Sequence, residues 1–334
     1  MTIRAFLGWL VVAVVSVVAA LFVVVGQPTS SVDPLSREPV FEQLRASPDT
    51  VARMTISSRF ATFTFVREDG RWRSPDKFNY PVDSNDVREL VVKLSDMRYI
   101  ERKTSKTERL ATADDKPLAE VIVGRPSARF IDGSVSGTYI RFPETDKVWL
   151  ASGAVNVQTR LVPWLDRTVV SVPADTVTHV VISAGDDAYE VVREGEGDTA
   201  SYKIPQVPEG READARAAQN LTRSLASVSL EDVRPAADLA LPADARQARV
   251  ETQDGVAVDL RLAEIDKKPW MTVNATYIGD AGDESDAAKA ARKRVDEINA
   301  RVHDWVYWVP SDVFDRLTAP LEKQLIEVKK EGQS

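Results

Sequence analysis

One pattern of short segments occurs twice along the body of this chain, and this repeat restricts the possible folds more than any other sequence feature. Residues 51–57 (VARMTIS) align with residues 177–183 (VTHVVIS) at an offset of 126 positions (177 − 51). The segments that follow align in the same order: 63–68 with 189–194, 71–73 with 201–203, and 87–99 with 218–230. The offset grows only between segments, which is typical of duplication followed by loop insertion. The sequence therefore predicts two copies of one structural unit.

Each copy is predicted to contain a strand hairpin followed by a helix. In the first copy, residues 62–65 alternate polar and apolar, as a half-buried strand does. Asp69-Gly70 is a hairpin-turn signal, and Asp83 is suited to cap the helix that follows. The apolar residues of that helix fall on one face: Val87, Leu90, Val91, Leu94 and Met97.

Further strands are predicted to complete each copy. They cover residues 118–123, 137–142 and 147–150 in the first copy, and 249–252, 256–262, 269–277 and 305–309 in the second. The second copy also gains a helix at 285–302, with an apolar face made of Ala288, Ala291, Val295, Ile298 and Val302. The predicted fold class is α+β: an N-terminal transmembrane helix, then two duplicated strand-rich units, each with a helix packed on a mainly antiparallel sheet.

Residues 5–25 form an apolar segment of 21 residues in which Ser16 is the only clearly polar side chain. At about 1.5 Å per residue, such a helix spans the roughly 30 Å hydrocarbon core of a bilayer. Arg4 precedes it and no charge follows until Asp33, which favours a cytoplasmic N-terminus and an exported body. A cleaved signal peptide would have a shorter apolar region, of about 7–15 residues. We therefore expect a single-pass anchor in a bacterial inner membrane, in contact with the lipid bilayer through residues 5–25, and a periplasmic body.

The chain is predicted to divide into six parts. They are a transmembrane anchor (1–25), a proline-rich stem (26–50), a first α+β unit (51–159), a connector (160–176), a second α+β unit (177–320) and a charged C-terminal tail (321–334). Prolines favour an extended stem. The connector lies around Pro163 and Pro173 and is expected to contain a short helix that leads to a strand. Charges at helical spacing predict a solvated final helix in the tail.

Composition excludes several classes of function. The formal net charge is −8, so nucleic acid, which binds mainly through lysine and arginine, is not an expected partner. The absence of cysteine from the sequence excludes disulfides and thiol chemistry. Neither a phosphate-binding loop nor a glycine-rich dinucleotide motif occurs, so we expect no nucleotide and no cofactor.

Four short motifs resemble the bacterial domain-of-unknown-function family numbered 4340. They occur at residues 38–44 (EPVFEQL), 69–72 (DGRW), 163–167 (PWLDR) and 305–310 (WVYWVP), and the resemblance covers most of residues 38–320. It implies a membrane-anchored envelope protein with repeated α+β units. Such proteins are often found beside ABC-type transport components described as gliding-motility auxiliaries. The family offers no established activity and no catalytic residues.

The residue types that usually carry chemistry give weak signals. His179 aligns with Arg53 of the first copy, which favours a solvent-facing strand position over catalysis. His303 lies at a predicted helix exit, where a cation complements the helix dipole. The acidic run at 280–286 is the best metal candidate, but it lacks the spacing of a calcium loop. We assign no catalytic, cofactor-binding or metal-binding residue.

Tryptophan gives the best indication of a binding surface. Trp305 and Trp308 have opposite parity along a predicted strand, so they cannot both point inward, and one is expected to face a cleft, a partner or the other unit. With Trp164 of the connector, they make up the predicted partner or ligand surface. Large aromatic residues on sheets usually fill the core, and sugar stacking is the functional alternative.

Two classes of function follow. The first is a membrane-anchored binding or scaffolding protein, accessory to an inner-membrane protein complex of the ABC-transport type. The alternatives are an envelope hydrolase with a pair of carboxylates, which would need raised pKa values in a groove, or a cell-wall polysaccharide-binding module. The absence of recognisable reactive motifs favours the binding or scaffolding class over an enzyme.

Overall fold

The computed structural model describes residues 38–102, 107–111, 117–131, 135–183, 188–195, 200–224 and 226–327. The predicted membrane segment, residues 5–25, lies outside these residues. Among the residues described, no helix has the length and apolar character needed to cross a bilayer.

The described residues form many short strands and five α-helices. The helices are α1 (Glu42–Ala46), α2 (Ser84–Ser95), α3 (Ala215–Arg223), α4 (Asp286–Val302) and α5 (Ser311–Leu317). The strands up to the connector are β1 (Arg53–Ser57), β2 (Thr62–Glu68), β3 (Arg71–Ser74), β4 (Tyr80–Pro81), β5 (Tyr99–Arg102), β6 (Thr107–Ala111), β7 (Pro117–Ile131), β8 (Val135–Arg141) and β9 (Val148–Ser152). The later strands are β10 (Thr168–Val170), β11 (Val177–Ser183), β12 (Tyr189–Glu194), β13 (Ser201–Lys203), β14 (Arg211–Ala213), β15 (Val228–Ser229), β16 (Asp232–Pro235), β17 (Arg246–Thr252), β18 (Val256–Ile265), β19 (Lys268–Tyr277), β20 (Trp305–Trp308) and β21 (Leu325–Glu327).

The chain divides into two compact units, and each contains two separate stretches of sequence. The first unit comprises residues up to 51 and residues 89–157. Its strands lie in the order β6-β7-β8-β9-β5, with antiparallel neighbours. The segment before α1 joins this unit through the bond from Val40 N to Met97 O (2.9 Å) and the edge-on contact of Phe41 with Phe142. The motif at residues 38–44 therefore forms part of the core.

The second unit comprises residues 52–88 and 158–327. Its N-terminal strands form a meander in the order β4-β3-β2-β1. The turn from β2 to β3 consists of Asp69 and Gly70, both with positive φ (49° and 79°), and Glu68 lies opposite Arg71. Positive φ at both central residues is the type I′ geometry that Asp-Gly favours. The hairpin predicted from the sequence is confirmed.

The helix after this hairpin also agrees with the prediction. Asp83 Oδ1 accepts a hydrogen bond from Asn85 N (2.8 Å), so its side chain caps the start of α2. The five apolar side chains predicted to share one face are all buried: Val87, Leu90, Val91, Leu94 and Met97. Helical spacing of apolar residues was sufficient here because the face is continuous.

An eight-stranded antiparallel sheet forms the main part of the second unit, in the order β13-β12-β11-β17-β18-β19-β20-β16. One face is apolar and buried, with side chains that include Val180, Val250, Leu260 and Met271. Helix α4 packs on β19, and all five of its predicted core residues are buried. Such a sheet can leave its second face polar.

Two segments outside these elements test the sequence predictions further. The connector contains a 3₁₀ helix, Val162–Trp164, followed by β10, close to the expected short helix and strand. The prediction of a helix at the start of the tail is wrong for residues 321–327. A 3₁₀ turn, Leu321–Gln324, is followed there by β21, which pairs with β14. Backbone pairing with a distant strand outweighs a helical charge pattern, because that pattern contributes only a few tenths of a kcal/mol per pair.

Candidate functional site

The polar face of the eight-stranded sheet brings charged and aromatic side chains together on one surface. Side chains that share this face follow from the register, because cross-strand partners and alternate residues along a strand point to the same side. They are Glu190, His179, Arg249, Glu251, Asp259, Lys268, Trp270, Trp308, Asp232 and Arg234. We call this set the polar sheet face.

Its centre is a network of polar contacts around His179 and Arg249. The ring contacts Glu251 Oε2 through Nδ1 (3.3 Å) and Glu190 Oε2 through Nε2 (3.2 Å). Arg249 donates from Nε to Glu251 Oε1 (2.9 Å) and from Nη1 to both oxygens of Asp259 (2.7 and 2.9 Å). His179 is half-buried between two carboxylates, whereas the sequence predicted only a solvent-facing strand residue.

The electrostatics of this network favour fixed negative charge. The hydrogen bond from Arg249 is the main cause that lowers the pKa of Glu251, and the contact with His179 lowers it further. A hydrolase that protonates a leaving group needs a carboxyl group whose pKa is raised. The shift at Glu251 has the opposite direction, so the network is suited to holding the face rigid and charged.

We expect this network to make stability depend on pH in the acid range. Because the folded-state pKa of Glu251 lies below its ordinary value of 4.5, its contribution is complete above that pH and is lost as the pH falls through the lowered value. Glu251→Gln should therefore lower the free energy of unfolding at neutral pH, and the difference from the unaltered protein should shrink as the pH falls below 4.5. Urea unfolding across this pH range measures it. Glu264→Gln, at an exposed position of β18, is the control, and a difference that stays constant with pH would contradict the assignment.

The end of the polar sheet face near β16 and β20 combines aromatic rings with cations. Trp308 is half-buried, and the Nζ atom of Lys268 lies 4.5 Å from the centre of its ring. Trp270, its cross-strand partner, is only 3% exposed and lies under the guanidinium group of Arg234, 5.5 Å away. The Lys268–Trp308 and Arg234–Trp270 contacts are both cation–π contacts. Asp232 is opposite Trp308 on the other neighbouring strand, β16.

A strained turn brings a third cation to this end. Lys77 Nζ lies 2.5 Å from Asp232 Oδ1, and both side chains are less than one quarter exposed. Phe78 and Asn79 follow with positive φ (55° and 58°), a conformation that is costly for a bulky residue such as phenylalanine. The half-exposed Phe78 is therefore held in place by its surroundings and not by its own backbone preference.

The other two tryptophans predicted to form a binding surface lie elsewhere in the second unit. Trp305 points to the opposite side of β20 from Trp308 and packs edge-on against Tyr80, with ring centres 4.9 Å apart. Burial raises the pKa of Tyr80 and of its neighbour Tyr307, as expected for phenols inside a core. Trp164 is 5% exposed, and its ring lies 5.6 Å from that of Phe65.

The structure therefore does not bring the three tryptophans together on one surface. Instead, it places Lys268 and Asp232 beside Trp308 and pairs Lys77 with Asp232, three residues that the sequence analysis did not select. A predicted pairing of β19 with β20 would have placed Lys268, the first residue of β19, near Trp308. No sequence signal places Lys77 there, because Lys77 belongs to a turn that is distant in sequence.

The acidic loop at 280–286, the metal candidate from the sequence, is bound by an internal cation. Arg292 donates to the backbone oxygens of Asp280 (3.1 Å), Ala281 (3.0 Å) and Asp283 (2.9 Å). Backbone and carboxylate oxygens are the ligands that calcium would require. Within the described ranges, no group of three or more histidine, aspartate or glutamate side chains is placed to hold a metal ion.

A separate cleft of about 550 Å³ lies beside the β2–β3 hairpin. Its lining carries two carboxylates and two guanidinium groups, from Glu68, Asp69, Arg71 and Arg73, together with Asn79. Arg73 Nη1 donates to Asn79 O (3.0 Å), so one cation is already used to fix the strained turn. The balanced charge gives this cleft no preference for one sign of ligand.

These features define a mixed α+β protein with mostly antiparallel sheets and a polar, partly aromatic sheet face. A family model described as "Domain of unknown function (DUF4340)" matches residues 72–250, more than half of the 334-residue chain. The chain belongs to this family, which confirms the resemblance seen in the sequence. The motif at 163–167 lies inside the matched range, and those at 38–44 and 305–310 lie outside it. Comparisons with curated proteins and with solved structures gave no match.

Proposed function

We propose that this protein is a binding or scaffolding protein, anchored by one helix in a bacterial inner membrane, with a periplasmic body that docks onto a membrane protein complex of the ABC-transport type. The observation that carries the proposal is the 21-residue apolar segment at residues 5–25. The 12 residues from 26 to 37 would keep the body within about 40 Å of the bilayer. Tethering at such a distance raises the effective concentration of membrane-bound partners.

The architecture supports a duplicated body, which is part of this proposal. Strands β1, β2 and β3 form a meander, as do β11, β12 and β13. A helix follows each meander, α2 in one case and α3 in the other. The remaining strands then lie in the orders β6-β7-β8-β9-β5 and β17-β18-β19-β20-β16, and in both orders the strand that comes earliest in sequence lies at the far edge. Duplicated units offer two related surfaces to a partner.

Crosslinking in cells tests the docking. Full-length protein is crosslinked, purified in detergent and analysed by mass spectrometry, and we expect one set of membrane proteins in constant stoichiometry. A chain that starts at Gly26 should lose this set. Residues 1–50 fused to an unrelated domain are the matched control, and they should recover none of it. Recovery of nothing above background, or of the same set with the fusion, would overturn the scaffolding role.

Protease accessibility tests the proposed topology separately. In intact spheroplasts, an added protease should digest the body, while a cytoplasmic marker protein stays protected. Release of the body into the soluble fraction without protease would contradict an uncleaved anchor.

A further inference from the structure

We propose that the Trp308 end of the polar sheet face binds a carboxylate-bearing glycan chain, with a sugar ring stacked on the indole and an acidic group held by the nearby cations. This inference rests on the proposed function, because it gives a ligand class to a protein placed in the envelope. The groups involved are Trp308, Lys268, Arg234, Lys77 and Asp232.

The local charge is the first argument. The whole chain has a net charge of −8, but this end of the face carries Lys268 and Arg234 over its two indole rings, and Lys77 forms an ion pair there with Asp232. A positive patch on an acidic protein attracts an anionic ligand locally, while the rest of the surface repels polyanions. The complementary ligand is therefore anionic.

The partly exposed indole of Trp308 is the second argument. A large aromatic ring at the surface of a sheet offers a flat apolar face, and the apolar face of a sugar ring is a matching partner. Its neighbour Trp270 is 3% exposed, so of these two rings on the polar sheet face Trp308 is the one with accessible surface. An acidic peptide has no ring face to stack in the same way, so the aromatic group favours a glycan.

Lys268 links the two arguments. Its ammonium lies 4.5 Å from the centre of the Trp308 ring, where it satisfies a cation–π contact. An acidic group on a sugar beside the ring would draw this flexible side chain towards itself and uncover the indole. On binding, the cation–π contact between Lys268 and Trp308 is replaced by an ion pair from Lys268 to the ligand and by a sugar ring stacked on the indole.

The supporting framework is already rigid. The partly buried ion pair from Lys77 to Asp232 fixes the start of β16, directly opposite Trp308. Trp308 is also held by pairing with β19 on its other side. Little ordering is then needed on binding, which favours affinity for a polymer that makes few contacts per unit.

The test uses full-length protein in detergent with three polymers: polygalacturonate, neutral dextran and poly-L-glutamate. We expect polygalacturonate to bind, with weaker binding as salt is raised, and neither other polymer to match it. Trp308→Ala should weaken binding about tenfold or more, and Trp308→Phe should weaken it less. Lys268→Gln should weaken it about threefold to tenfold, and Lys267→Gln, the same charge change one position earlier, less than about twofold.

Indole NMR signals give a readout at residue level. With ¹⁵N-labelled tryptophan, the signal that Trp308→Phe removes should shift on titration, and that of the buried Trp164 should stay in place. Absence of polygalacturonate binding, equal binding of poly-L-glutamate, or binding unchanged in Trp308→Ala would each overturn the inference. Those results leave the crosslinking outcome untouched, so failure of the ligand and failure of the scaffold are distinguishable. Thermal melting of each variant confirms that it is folded.

Discussion

Trp164→Ala should lower the free energy of unfolding by about 3–5 kcal/mol, the cost of removing a large aromatic side chain from a core. Trp164 is 5% exposed, its ring packs beside Phe65, and its Nε1 donates to Gln158 O (2.9 Å). Urea unfolding measures the change. A domain is stable by about 5–15 kcal/mol in total, so this loss is a large fraction.

Two variants show which part of Trp164 matters. Trp164→Phe keeps a ring beside Phe65 but removes the donor to Gln158 O, so it should cost less than the alanine change. Phe60→Ala removes an aromatic ring that is 75% exposed at a hairpin tip, and it should change stability by less than about 0.5 kcal/mol. A loss below about 1 kcal/mol in Trp164→Ala would mean that the ring is not packed as described.

Asn299→Ala should cost about 1–3 kcal/mol, because it leaves two backbone groups of a strand without partners. The Asn299 amide donates from Nδ2 to Ala275 O (2.9 Å), and its Oδ1 accepts from Ala275 N (2.8 Å). Strand β20 pairs with β19 only at Trp270 and Met271, so Ala275 lies on the uncovered edge of β19. Asn299 of α4 thus takes the place of a neighbouring strand and blocks pairing with other chains.

Urea unfolding and amide hydrogen exchange test this clamp together. Asp296→Ala, at an exposed position of the same helix, is a matched control, because aspartate and asparagine have similar helix propensities. We expect only Asn299→Ala to reduce stability and to speed exchange at Ala275 N–H. Unchanged exchange at Ala275 would contradict the proposed clamp.

Local patterns predicted the elements of this fold well. The Asp69-Gly70 turn, the Asp83 cap and the apolar faces of α2 and α4 are each determined within a few residues, by backbone conformation and by helical periodicity. The prediction of a helix in the tail was wrong because the structure there depends on a distant part of the chain. Its strand β21 exists because β14, more than 100 positions earlier, supplies the backbone partners (325 − 213).

The binding surface shows the same division. The sequence placed Trp305 and Trp308 on opposite sides of a strand, since parity alone determines this. It could not distinguish the buried Trp164 from the partly exposed Trp308, because exposure depends on what other segments cover.

The sequence by itself determined the apolar segment, the hairpins and helices with clear local patterns, and the family, because each depends on local composition or on short motifs. Only the tertiary structure decided that His179 lies between Glu190 and Glu251, and that Lys77 reaches Asp232 beside Trp308. These contacts join residues distant in sequence, and strand register and packing bring them together. No local pattern contains that information.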